Sequence, residues 1–114
     1  MLSLLGIEPD SLTLGVNSIE AIDGYVLEQN YPNPFNPSTT IDYHLSESSS
    51  VKLIIYGTLG QEVKTLIDSI RDAGKHSIVW DATDENNNPV SSGVYFYSLA
   101  ANEMVFQKKM ILVR

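Results

Sequence analysis

Histidine side chains are the residues of this chain best suited to acid–base chemistry. The sequence contains two, His44 and His76, and no cysteine. Neither lies beside a nucleophile elbow or in an HExxH motif. His44 falls on the polar side of a predicted strand and His76 begins another, so we expect both at the surface. A small β domain with short loops also offers little concave space for a substrate. The sequence therefore predicts a protein that is not an enzyme and that uses no cofactor.

Oxygen-bearing side chains crowd the polar stretch from Asp81 to Ser92, and calcium prefers oxygen ligands. The candidate ligands are Asp81, Asp84, Asn86 and Asn88. The last three imitate the start of an EF-hand loop, but Pro89 takes the glycine position and Tyr95 that of the bidentate glutamate. Asn and Asp also favour turns, because their side chains bond to the nearby backbone. We interpret the stretch as a structural turn and predict no metal site, with a weak calcium site as the alternative.

Three consecutive aromatic residues, Tyr95, Phe96 and Tyr97, could indicate a carbohydrate-binding surface. Because successive side chains of a strand point to opposite faces, these rings cannot form one flat stacking platform. Trp80 is the only tryptophan, ends a predicted strand and suits a core position better. Glycan binding is therefore the weaker interpretation.

The charge of the chain excludes some partners. The formal net charge is −7, which disfavours nucleic acid and anionic membrane surfaces. No stretch approaches the roughly 20 apolar residues that span a bilayer. No Lys or Arg occurs before Lys52, whereas Lys108, Lys109 and Arg114 lie among the last seven positions. The sequence thus predicts an acidic body with a basic end.

The composition changes near residue 25. Residues 1–24 are acidic, contain scattered glycines and resemble a linker or the remnant of an upstream domain, with a possible short strand at Ser11–Leu14. The first residues make a poor signal peptide, because they lack a basic region and Glu8 interrupts a short apolar run. We expect either a cytoplasmic protein or the downstream piece of a longer one, with one domain over residues 25–114.

Residues 25–114 carry the pattern of an all-β fold. Ile41, Tyr43 and Leu45 alternate with polar residues, which is typical of a half-buried strand. Val51–Tyr56 is rich in strand formers, and Glu62–Ile70 is the next predicted strand, although a helix remains open there. About seven strands separated by turns every 8–12 residues predict an immunoglobulin-like antiparallel β-sandwich.

Two segments stand apart from this pattern. The stretch from Asn30 to Pro37 holds three prolines, so it must be a stiff, extended loop outside any sheet interior, which Tyr31 and Phe35 could pin to the core. The last strand carries Lys108 and Lys109 on opposite faces. Such lysines either protect an edge strand from pairing or mark a strand to which a partner strand can be added, and the first interpretation is favoured.

Four blocks resemble, in order, the C-terminal sorting domains (type A) of proteins exported by the bacterial type IX secretion system. They are NYPNPFNPSTTI (30–41), VKLIIYGTLGQEV (51–63), AGKHSIVWDATDENNNPVSSGVYFYSL (73–99) and KKMILVR (108–114). The segment WDATDENNNPVSSGVYFY also resembles a related family, the immunoglobulin-like module of the flagellar hook-cap protein.

This resemblance implies a targeting role, and it shifts the balance for the last strand toward the second interpretation, a strand to which a partner strand can be added. Such domains end larger precursors, are recognised by outer-membrane machinery and are often removed by a sortase-like peptidase, so that the upstream cargo is secreted or held at the cell surface after passing the periplasm. A structural spacer of the hook-cap kind is the alternative, followed by a calcium- or glycan-binding accessory domain. The residues that match the sorting motifs are Pro32, Asn33, Pro34, Phe35, Asn36, Pro37, Gly93, Val94, Tyr95, Lys108, Lys109, Met110, Ile111, Leu112, Val113 and Arg114.

Overall fold

The computed structural model describes residues 21–114, which form eight β-strands and no helix. The strands are β1 (Ala21–Ile22), β2 (Tyr25–Leu27), β3 (Thr39–Leu45), β4 (Ser49–Tyr56), β5 (Glu62–Arg71), β6 (Gly74–Trp80), β7 (Gly93–Ala101) and β8 (Met104–Leu112). They form two antiparallel four-stranded sheets, ordered β1-β2-β3-β6 and β5-β4-β7-β8. The prediction of an immunoglobulin-like β-sandwich is confirmed.

Alternation along the strands builds the core between the two sheets. Thr39, Ile41, Tyr43 and Leu45 of β3 are buried, as is every second residue of β7 from Tyr95 to Ala101. Because side chains alternate across a strand, one apolar face of each sheet meets that of the other. Trp80 is fully buried, as predicted, and its ring lies against Phe35 and Tyr95 at centroid distances of 5.8 and 5.4 Å.

The stretch for which a helix remained open is strand β5. Thr65 pairs with Ile54 and Ile67 with Leu53, so Leu66 is an extra residue without a partner of its own in β4. Such a bulge shifts the side-chain phase within one strand. The apolar residues of β5 therefore do not follow a strict two-residue period, and the pattern alone could not exclude a helix.

The first sheet begins before the predicted domain boundary. Ala21 pairs with Val26 across a turn in which Asp23 and Gly24 have φ of 51° and 84°. Two central residues with positive φ are typical of tight hairpin turns. Residues 1–20, including the predicted strand at Ser11–Leu14, lie outside the described residues, and the linker stays a prediction. Within 21–114 there is no helix long and apolar enough to cross a membrane.

Candidate recognition surface

The proline-rich segment forms a loop, residues 28–38, that leaves β2 and reaches the far sheet before β3 begins. We call it the proline loop. Asn30 fixes its start: the side chain is buried, and its Nδ2 donates to Pro32 O at 3.1 Å and to Thr39 Oγ1 at 2.9 Å. The Tyr97 hydroxyl of β7 accepts from Asn30 N at 2.8 Å and donates to Glu28 O at 2.7 Å. Buried polar groups are stabilised only when they are paired, so this network holds the loop in one conformation.

Phe35 joins the proline loop to the last strand. Its side chain is 2% exposed and packs on Trp80. Its backbone N donates to Ile111 O and its carbonyl accepts from Val113 N, both at 3.0 Å. These two bonds form one parallel rung with Leu112 on the outer edge of β8. The prediction that Phe35 pins the loop to the core is confirmed.

Tyr31 does not pin the loop, contrary to the prediction. Its side chain is 79% exposed. Its backbone N and O both pair with Thr40, at 2.9 Å each, beside sheet β1-β2-β3-β6. With the backbone held there, the ring points to solvent, and the neighbouring Asn30 takes the buried position. Aromatic character alone could not distinguish Tyr31 from Phe35.

Two side chains of the proline loop also bond to the edge of β8. Asn33 Oδ1 accepts from Ile111 N at 2.9 Å, and Gln29 Nε2 donates to Lys109 O at 2.8 Å. With the Phe35 rung, the outward backbone groups Lys109 C=O, Ile111 N–H and C=O and Val113 N–H all have partners. A partner strand therefore cannot pair with this part of β8 unless the loop is displaced.

The last strand places its residues as an edge strand does. β8 lies at the edge of its sheet, Met110 and Leu112 are buried in the core, and Lys109 faces solvent. Lys108 is half-buried on the inward side. An inward-pointing charge on an edge strand opposes the addition of another strand. This agrees with the protective interpretation that the residues alone favoured, and not with the strand available for pairing that the resemblance implies.

The GVY residues of the third block pair with this same strand. Gly93 is opposite Leu112, Val94 opposite Ile111 and Tyr95 opposite Met110. The Tyr95 ring is buried, and its hydroxyl donates to Ser91 O at 2.6 Å. Three of the blocks singled out in the sequence thus meet around the end of β8.

Arg114 fixes the long loop between β6 and β7. Its Nε donates to Val90 O at 2.6 Å, its Nη2 to Ala82 O at 2.9 Å, and its backbone N to Ser92 Oγ at 2.9 Å. The first two are charge-assisted hydrogen bonds from the guanidinium to carbonyl groups. The basic end of the chain therefore holds the loop, a role that the sequence did not indicate.

Burial divides the predicted sorting residues into three groups. Phe35, Tyr95, Met110 and Leu112 are buried, and Gly93, Val94 and Lys108 are half-buried. The exposed members are Pro32, Asn33, Pro34, Asn36, Pro37, Lys109, Ile111, Val113 and Arg114. A partner of the folded domain can contact only the exposed members and the outer surfaces of the half-buried ones.

The carboxylates of the two acidic calcium candidates, Asp81 and Asp84, bond to the protein itself. Asp84 Oδ1 accepts from Asn86 N at 2.9 Å and from Asn88 N at 3.0 Å, which closes a turn. Asp81 Oδ1 accepts from the Thr83 hydroxyl. Nowhere in 21–114 do three or more acidic, histidine or cysteine side chains form a group that could hold a metal.

A lysine of β5 supplies positive charge to this loop. Lys64 Nζ donates to Thr83 Oγ1 at 2.9 Å and to Asn87 Oδ1 at 3.3 Å. The hydrogen bond from Thr83 lowers the pKa of Asp81 below its ordinary value; burial opposes this shift and the charge of Lys64 adds to it. Sequence spacing could not reveal Lys64, because it reaches the loop from another strand.

The two histidines contact backbone carbonyls and a neighbouring ring. His44 Nδ1 donates to Gly24 O at 2.9 Å, and His76 Nε2 donates to Asp72 O at 2.7 Å. Both are half-buried, more than the predicted surface position implied, and the His76 ring stacks on Tyr43 at a centroid distance of 5.1 Å. Burial raises the pKa of Tyr43, against the opposing effect of Arg71.

Comparison with known families identifies the class of domain. The family model of the FlgD Ig-like domain matches residues 36–104, more than half of the chain. The chain therefore belongs to the FlgD Ig-like domain family, and the resemblance to the module of the hook-cap protein is confirmed. None of the curated proteins compared with the chain matches it.

Solved structures with the same fold come from two settings. Latent PorU of Porphyromonas gingivalis is 23% identical with a TM-score of 0.63, over 83% of this chain and 10% of PorU. PorZ of the same organism, described as an essential surface component of the type IX secretion system, is 20% identical with a TM-score of 0.53, over 81% and 12%. FlgD of Xanthomonas campestris, described as capping the flagellar hook, is 22% identical with a TM-score of 0.54, over 77% and 64%. The chain spans less than two thirds of each, and these likenesses concern the fold.

Proposed function

We propose that this chain is a non-catalytic C-terminal targeting domain that directs an attached cargo across the bacterial outer membrane through the type IX secretion machinery. Its partners are then the outer-membrane machinery, a sortase-like peptidase and an upstream cargo domain. The mature protein would be secreted or held at the cell surface after passing the periplasm as part of a longer precursor.

The observation that carries this proposal is the contact between separate motif blocks. Asn33 and Phe35 of the opening block bond to Ile111 and Val113 of the terminal block. Val94 lies opposite Ile111. A spacer requires only a folded sandwich, whereas a targeting signal requires a surface that a partner can recognise. The likeness to PorZ supports this setting, although it concerns the fold alone.

Two features of the described chain fit a domain without catalytic chemistry. The histidines bond to backbone carbonyls and not to a nucleophile. The carboxylate of Asp84 is bonded to backbone amides of its own turn. A recognition module needs neither group for chemistry, and both contribute to structure instead.

A fusion experiment tests the proposal. A reporter with an inner-membrane export signal carries residues 1–114 at its C-terminus in a bacterium with a working type IX system. The matched control carries the Ig-like domain of Xanthomonas campestris FlgD, which has the same fold. We expect the first fusion at the surface or in the medium and the second in the periplasm. If both stay in the periplasm while the host exports its own cargo, the proposal is wrong.

Deleting the last residues would not be an informative variant. Met110 and Leu112 are fully buried, and loss of one such core side chain costs about 2–5 kcal/mol. Removing both, with their pairing to β7 and the rung to Phe35, removes much of the roughly 5–15 kcal/mol of stability of a typical domain. Failed export would then report unfolding, so substitutions of exposed side chains are the better test.

A hook-cap-like assembly module is the second candidate, because the family match favours it. A hybrid FlgD, in which residues 21–114 replace the Ig-like domain of Xanthomonas campestris FlgD, tests this role. Restored swimming motility would support it, whereas a non-motile strain with normal FlgD levels would not.

A further inference from the structure

The outward face of sheet β5-β4-β7-β8 carries a continuous row of half-buried and exposed side chains. Val94 lies opposite Ile111, Phe96 opposite Lys109, and Tyr56 opposite Phe96 on the other side. Directly opposed residues of antiparallel strands have side chains on the same face and in contact range. These five residues, which we call the docking face, therefore form one patch across three strands.

The docking face borders a cleft, which Tyr56 and Phe96 help to line. Ile54, beside Tyr56 on β4, is only 7% exposed although it points away from the core. The cleft has a volume of about 370 Å³ and is lined by Tyr56, Gly57, Thr58, Gly60, Phe96, Ser98 and Gln107. A concave site lined by two aromatic rings suits an apolar side chain of a partner better than a flat surface would.

Lys109 gives the docking face its charge. It is the one charged residue among the five and is exposed beside Phe96 in a chain of net charge −7. Glu62 lies at the far side of the face, opposite Tyr56. A carboxylate is the group that would complement Lys109.

A second copy of the chain is a poorer occupant than a different protein. A two-fold dimer would bring the same patch, including Lys109, against itself. Each copy would also carry the same net charge of −7. Like charges brought together oppose association.

The closed edge of β8 determines how a partner can bind. The proline loop already bonds to the outward backbone groups of β8 from Lys109 to Val113. Recognition at this end of the domain must therefore use side chains, and the docking face continues from the loop through Ile111. Pairing of a partner strand would first have to break four hydrogen bonds and expose Phe35.

We propose that the docking face binds a protein surface that inserts an apolar side chain into the cleft lined by Tyr56 and Phe96 and places a carboxylate against Lys109. This inference rests on the proposed targeting function and names the surface through which the outer-membrane machinery recognises the folded domain. The proline loop contributes by keeping the edge of β8 closed.

The test uses the reporter fusion with two face variants, Lys109→Glu and Ile111→Thr. Strand β6 supplies matched controls, Lys75→Glu and Val79→Thr, because it is also an edge strand and both residues are exposed on its outer side. We expect each face variant to lower the exported fraction about tenfold, which corresponds to about 1.4 kcal/mol. Both controls and Lys109→Arg should be exported as the parent is. Thermal unfolding of each purified domain verifies that the variants stay folded.

The outcomes separate the two levels of the proposal. If the parent fusion is not exported, the targeting function itself fails. If the parent is exported and the folded face variants are exported equally well, the docking face is wrong and recognition lies elsewhere. If the β6 controls lose export as strongly, no particular face is recognised and the inference is also wrong. A parent dimer in sedimentation that Ile111→Thr abolishes would assign the face to a second copy and overturn the proposed partner.

Discussion

Replacing Phe35 tests whether the proline loop and the last strand form one unit. Phe35→Ala removes a ring that is 2% exposed and lies against Trp80. Phe→Ala changes in a core cost about 3–5 kcal/mol, from lost burial and the cavity that remains. For a domain of this size each kcal/mol lowers the melting temperature by about 4–8 °C. We therefore expect Phe35→Ala to melt roughly 12 °C or more below the parent.

Tyr31 provides the matched control within the same loop. Its ring is 79% exposed, so Tyr31→Ala should change the free energy of unfolding by no more than about 0.5 kcal/mol. Urea unfolding followed by the fluorescence of Trp80, the only tryptophan, measures both variants. The sequence predicted that both aromatic residues could pin the loop to the core. In the structure Phe35 is buried and Tyr31 is exposed, so unequal effects of the two substitutions would support the structure over the prediction.

Hydrogen exchange distinguishes loss of the ring from release of the loop. Ile111 N–H donates to Asn33 and Val113 N–H to Phe35 O, so both amides should exchange faster in Phe35→Ala. The amide of Leu99, within the central strand β7, serves as the reference. A loss below about 1 kcal/mol, or unchanged exchange at Ile111 and Val113, would refute the view that Phe35 ties the loop to β8.

Three further predictions concern the loop between β6 and β7. Arg114→Ala should speed amide exchange at Val90, whose N–H donates to Ala82 O. The guanidinium bonds to the carbonyls of both Val90 and Ala82, so its loss should loosen this contact. Unchanged exchange at Val90 would contradict this prediction. Millimolar calcium should leave the melting temperature unchanged, because Lys64 and backbone amides already bond to the loop oxygens; a concentration-dependent rise would indicate a site. The pKa of Asp81 is below its ordinary 3.8 in the folded state, so its contribution to stability is complete above about pH 4 and lost as pH falls through the folded pKa. Urea midpoints of the parent and Asp81→Asn should therefore converge below pH 4, and a constant difference would be inconsistent with the shift.

Local patterns in the sequence predicted most of the fold. The alternation of Ile41, Tyr43 and Leu45 placed β3 correctly, since a period of two reflects one buried face and needs no distant information. β5 resisted this reasoning because the extra residue Leu66 shifts the phase within the strand. The pairing of Ala21 with Val26 was missed because a two-residue strand is too short to show a period.

The candidate surface was predicted only in part, because its contacts join distant positions. Asn33 and Ile111 are 78 residues apart, and Gln29 and Lys109 are 80 apart. Composition could indicate that the prolines lie outside a sheet and that β8 is an edge strand. It could not indicate that the proline loop covers the edge of β8, because that contact depends on the order of strands in the two sheets.

The prolines explain why the proline loop ends the sheet and does not extend it. Phe35 makes the single rung with β8, and Pro34 precedes it while Pro37 follows two residues later. Proline has no N–H, so neither Pro34 nor Pro37 can donate a backbone hydrogen bond to a further strand. A segment of ordinary residues in the same place would become a new edge with its own row of donors, and exposed edges promote pairing between molecules. The proline loop therefore closes the edge of β8 from the Lys109 carbonyl to the Val113 amide without creating a long new edge, so a partner that binds there must recognise the domain by its side chains.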